Sequence, residues 1–139
     1  MTRTVAQVQP YPSVEKMVVQ ALTAIYGDTY TISTVLPDQL TKVAVRVQRI
    51  SGSGTNIWVD KPIVEVDVIT SKHVSGSAGY GIADDLSRQI QADLYNLRSL
   101  PNVNGVVCYS RTIAGPRRIP DLNEDTFRFA ATYEMSVHA

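Results

Sequence analysis

The sequence is poor in the residues that carry chemistry, holding one cysteine and two histidines among 139 residues. With Cys108 alone no intrachain disulfide can form. It lies in the apolar stretch Gly105-Val-Val-Cys-Tyr109, where a buried structural thiol is expected rather than a reactive nucleophile. His73 and His138 are far apart and neither neighbours a ligand-spaced Cys, Asp or Glu cluster, so no metal site is expected. Charge of one sign is also missing, since 13 basic residues balance 13 acidic ones. A tight nucleic-acid binder needs an excess of Lys and Arg to neutralise phosphates, and that class is disfavoured. No apolar run approaches membrane-spanning length, so no membrane partner is expected. The N-terminus lacks a signal-peptide pattern, and the expected compartment during synthesis is a cytoplasm.

Motifs for catalysis and cofactors are equally scarce. Gly79-Tyr-Gly81 precedes a helical pattern, but the position where a dinucleotide fingerprint needs a third small residue is Asp84, whose carboxylate would repel a pyrophosphate. Neither a Walker Gly-Lys-Ser/Thr nor a Gly-x-Ser-x-Gly elbow occurs. Glu65 and Asp67 share one face of a strand pattern, where two carboxylates are usually solvated. The expectation is a non-catalytic protein without a cofactor.

What is present is clear periodicity, read as a single domain over residues 1–139 with residues 1–12 an extended arm ending in Pro10-Tyr-Pro12. Ser13 caps a helix whose apolar stripe is Val14, Met17, Val18, Ala21, Leu22 and Ile25, stopped at Gly27. Tyr30 and Ile32 alternate with threonines, consistent with a short strand before Pro37. Val43, Val45 and Val47, then Val64, Val66 and Val68, give two alternating strands joined by the loop Ser51-Gly-Ser-Gly-Thr-Asn56, a hairpin with an exposed tip. A loop, Ser75-Gly-Ser-Ala-Gly-Tyr-Gly81, leads to a helix with Ile82, Leu86, Ile90, Leu94 and Leu97 buried. Asp84, Asp85, Arg88, Gln89, Gln91 and Asp93 form its wet face. A turn over 101–105, a strand over 106–113 and a connection from Ala114 to Glu124 follow. The last strand alternates Phe127, Phe129, Ala131, Tyr133, Met135 and Val137 against polar neighbours. The expected fold is α+β: a mainly antiparallel sheet of about four to five strands, two helices on one face, in helix–hairpin–helix–hairpin order.

Three connections, 51–57, 73–80 and 114–124, are long for so short a chain, and long loops in compact domains tend to be functional or disordered. Pro116, Arg117, Arg118 and Ile119 are read as a stiffened cationic tip suited to a partner's acidic surface. Sheet edges offer backbone groups that a neighbouring copy can complete.

This layout resembles the tail terminator family of long-tailed bacteriophages. The resemblance runs over nearly the whole chain: the helix Val14–Ile25, the Gly/Ser-tipped hairpin Val43–Val68 with Val64-Glu-Val-Asp-Val-Ile69, the helix Ile82–Leu97 with Asp84-Asp-Leu-Ser-Arg88, the Arg117-Arg118 loop and the strand Phe127–Val137. It implies a structural virion subunit at the tail–head junction, forming a six-membered ring. Such a ring caps the tail tube, ends its polymerisation and joins tail to head. The implied partners are copies of the same chain, the major tail tube protein and a head-side connector protein, with DNA passing through the lumen unread. On that reading Ser51, Gly52, Ser53, Gly54, Thr55 and Asn56 with Pro116, Arg117, Arg118 and Ile119 contact tube or head, and Asp84, Asp85, Arg88 and Gln89 make ring contacts. Two alternatives stay open: a head–tail connector or head completion ring, and a small ligand-binding or catalytic α+β domain with a pocket of convergent polar groups.

Overall fold

The computed structural model describes residues 13–54, 59–97, 106–120 and 123–138, with backbone alone at 53–54 and 106–108. The expectations for residues 1–12, Thr55–Asn56, the 101–105 turn and the Cys108 side chain lie outside these residues.

Ser13 opens helix α1 (Val14–Tyr26) by accepting a hydrogen bond from the Lys16 amide, with Glu15 in the first turn favoured by the helix dipole. Gly27 ends it at φ +60°. Val14, Met17, Val18, Ala21 and Leu22 are buried as the 3.6-residue period requires, but Ile25, at the end of the stripe, is 40% exposed. Strand β1 (Thr31–Ser33) pairs parallel with β2 (Ala44–Gly54), and β2, β3 (Val59–Ser71), β5 (Thr126–His138) and β4 (Val106–Ile119) continue antiparallel. The result is a mixed five-stranded sheet in the order β1-β2-β3-β5-β4. Helix α1 packs over β1–β3 and helix α3 (Gly79–Tyr95) over β3, β5 and β4. Strand β1 falls where Tyr30 and Ile32 suggest a short strand, while its parallel pairing and the short helix α2 (Lys72–Ser75) depart from a plain helix–hairpin–helix–hairpin order.

The core lies between sheet and helices. It joins the α1 stripe to Val45 and Val47, to Val64, Val66 and Val68, to Ile90 and Leu94, and to Phe129, Ala131, Tyr133, Met135 and Val137. Alternation along β5 and β3 puts these residues on one face, and truncation of a fully buried one such as Leu22 costs about 2–5 kcal/mol.

Where described, most of the three expected loops is regular structure. Ser51–Gly54 continues β2, pairing Ser51 with Ile63, Gly52 with Pro62 and Gly54 with Asp60 after a register shift at Arg49/Ser51. Residues 72–81 are α2, a 3-10 turn at Gly76–Ala78 and the start of α3. Gly79 is buried there because a Cβ would stand 2.8 Å from the Phe127 ring, so this glycine serves close packing rather than mobility. Residues 114–119 belong to β4, which has no described strand beyond it and tolerates Pro116 because that residue falls in the register shift between Ala114 and Arg117.

Candidate functional site

Two sheet edges and a groove between the helices stand out on the surface of the described residues. Strand β1 covers β2 only at Ala44–Arg46, so no described strand pairs with the outer edge of Val47–Gly54. At the far side β4 runs from Val106 to Ile119 with no described strand beyond it. Its ladder with β5 shifts register at Val107/Tyr109, Thr112/Ala114 and Ala114/Arg117, the twisting that natural edge strands use against indiscriminate pairing. Helix α3 anchors this edge: Gln91 Nε2 donates to Thr112 Oγ1 at 3.1 Å, and the Tyr95 hydroxyl lies 2.6 Å from the same oxygen.

Between the helices, Tyr26, Tyr30, Ile82, Asp85, Leu86 and Gln89 line a groove of about 350 Å³. Tyr26 and Tyr30 meet edge to face at 5.4 Å, and the Tyr26 hydroxyl donates to Asp93. Burial, and then the negative Asp93, push the Tyr26 phenol well above its ordinary range. It stays neutral and donating.

The sheet face away from the helices is polar yet partly closed. Asp67, only 1% exposed, receives Arg46 from β2 at 2.5 Å and Arg128 from β5 at 3.1 Å. Arg128 also reaches Glu65 at 3.4 Å. Burial, and then the charge of Asp67, raise the Glu65 carboxyl above the usual carboxylate range. The pair expected to be solvated is thus the centre of a four-residue ion network, and both carboxylates are held by arginines. Among the described residues, no group of three or more His, Cys, Asp or Glu could hold a metal ion, and no helix is long and apolar enough to cross a membrane.

Of the residues singled out in the sequence, Asp85 and Gln89 meet in the groove beside Tyr26 and Tyr30. Asp84 turns to Arg88 at 3.0 Å on the outer face of α3. Ile82, expected in the core, is 38% exposed and lines the groove, its place taken by Ala83 and Ser87. Arg117 and Arg118 do not share a loop tip. They pair with Ala130 and Phe129 on opposite faces of the sheet, Arg117 donating to the Ala130 carbonyl and Arg118 lying 5.5 Å from the Tyr80 ring centre. Ser51–Gly54, in the part of β2 that β1 does not cover, and Pro116–Ile119, in β4, therefore lie toward opposite edges of the sheet. Sequence reasoning missed the groove tyrosines and the Arg49–Asp60 pair. Asp60 is 1% exposed and clasped by Arg49 at 2.6 Å. An isolated Arg and Asp carry no signal until the register of β2 and β3 is known.

Residues 10–139 match the family described as phage tail termination protein. No curated protein matches the chain. Among solved structures it is similar to a chain from the virion of a native gene transfer agent particle, at 15% identity and a TM-score of 0.66, covering 91% of this chain and 96% of that one.

Proposed function

The chain belongs to the phage tail termination protein family of structural virion proteins, and we propose that it forms a closed ring that caps the finished tail tube, ends its polymerisation and joins tail to head. Its partners on this reading are further copies of the chain, the major tail tube protein and a head-side connector, with DNA passing through the lumen. Assembly starts in the host cytoplasm and the ring ends at the tail–head junction, with no catalytic step. The family match over residues 10–139 carries the proposal. Two unlike edges with no described strand beyond them, β2 past Arg46 and β4, support it. A contact between unlike patches repeats by rotation and closes into a ring when the rotation divides a full turn. Light scattering with negative-stain imaging tests the reading. The expected particle is about six chains around a central hole. A chain that stays single at high concentration and also fails to bind purified tail tubes contradicts it.

A further inference from the structure

Two surfaces carry exposed apolar side chains and opposite charge. The first is edge strand β4, where Tyr109 is 38% and Ile113 48% exposed. The strand holds Arg111, Arg117 and Arg118 and no acidic residue. Arg111 is engaged by Glu134 at 3.0 Å, but neither Arg117 nor Arg118 makes an ion pair among the described residues. The second surface is the groove between α1 and α3, with the Tyr26–Tyr30 pair and Ile82 at its wall and Asp85 at its rim. Asp85 is exposed and makes no ion pair among the described residues. Helix α3 as a whole carries Asp84, Asp85 and Asp93 against a single Arg88.

We infer that β4 of one copy docks into the α1–α3 groove of the next, Ile113 and its neighbours entering the aromatic wall while Arg117 or Arg118 meets Asp85. The inference rests on the ring reading and names its interface. Charge decides the occupant: a strand with three arginines and no acid complements a helix with three aspartates and one arginine. The apolar part supplies the burial that exposed ion pairs alone do not. Strand and groove are different patches of one subunit, the groove opening beside α1 over β1–β3 and the strand closing the far edge, so the contact is head-to-tail.

The test measures sedimentation of the full chain and its variants, free and on purified tail tubes, with thermal melts confirming that each variant folds. Asp85→Arg alters an exposed helix position, and Ile113→Asp an exposed register shift, so neither disturbs the core. Each is expected to weaken self-association at least tenfold. An equimolar mixture of the two is expected to stop at a one-to-one dimer, because only one intact strand and one intact groove remain to meet. Combining Asp85→Arg with Arg117→Glu and Arg118→Glu in one chain is expected to restore assembly. If the wild-type chain assembles and both single variants assemble equally well, the interface is overturned while the ring stands. If the variants keep the ring but lose only tube binding, these patches face the tube protein and the interface is again overturned. Absence of any wild-type assembly, free or on tubes, removes ring and interface together.

Discussion

Arg49 clasps the buried carboxylate of Asp60 through two nitrogens, at 2.6 and 3.0 Å, and the same guanidinium donates to the carbonyl oxygens of Ser51 and Gly52. One side chain thereby fixes the register shift in β2 and the opposite strand β3. The Arg49 amide also donates to Glu15, tying this end of the hairpin to α1. A segment with the composition of a flexible loop is held as sheet by a charge-assisted staple.

Asp60→Ala leaves the Arg49 guanidinium without its carboxylate and opens a polar gap. Because Arg49 is 34% exposed and water recovers part of its solvation, the expected loss is about 2 kcal/mol, below the cost of breaking a fully buried pair. Denaturant unfolding measures it. A loss below about 0.5 kcal/mol would show that the staple contributes little.

Glycine positions give a matched comparison. Gly52 has φ +95°, and a Cβ there would stand 2.2 Å from the Lys61 carbonyl oxygen, a backbone atom that cannot move aside. Gly76 has φ +66° with nothing within 4 Å. Gly76→Ala is expected to cost about 1 kcal/mol from conformation alone. Gly52→Ala adds a clash to the strain and is expected to cost at least about 2 kcal/mol more. Thermal melts of the two variants side by side check the order.

The ion network on the open sheet face responds to pH in a definite sense. The Glu65 carboxyl is raised in the folded chain, chiefly by burial, so the folded state holds its proton to higher pH than the unfolded state does. Its charged form opposes folding. That penalty is absent in acid and grows as pH rises from the ordinary carboxylate range through the raised folded value. Glu65→Gln is therefore expected to raise the unfolding free energy at neutral pH, by less than about 1 kcal/mol because the site is partly solvated. The gain should vanish as pH falls below the carboxylate range. Equal effects at both pH values would contradict the assignment.

Local periodicity carried much of this fold. The stripes of α1 and α3 and the alternation of β2, β3 and β5 were legible because one buried face imposes a period of 3.6 or 2 on its own segment. Misreadings fell where tertiary contacts override local composition. Gly79 reads as part of a loop but packs against Phe127, and Pro116 reads as loop but lies in the β4 register shift between Ala114 and Arg117, where a proline is tolerated. Ile82 kept the helical period yet faces outward into the groove, which no single helix reveals because Tyr26 and Tyr30 form its other wall. The Asp67 network was hidden for the same reason, since Arg46 and Arg128 flank it only after three strands align.

On the capping reading this chain stops the growth of a tail tube. The most direct test is electron microscopy of purified tubes incubated with the chain and then given fresh tube subunits. Capping predicts a ring of extra density at one end of each tube and no further elongation at that end. Bare tube ends that keep growing at the rate seen without the chain would contradict it.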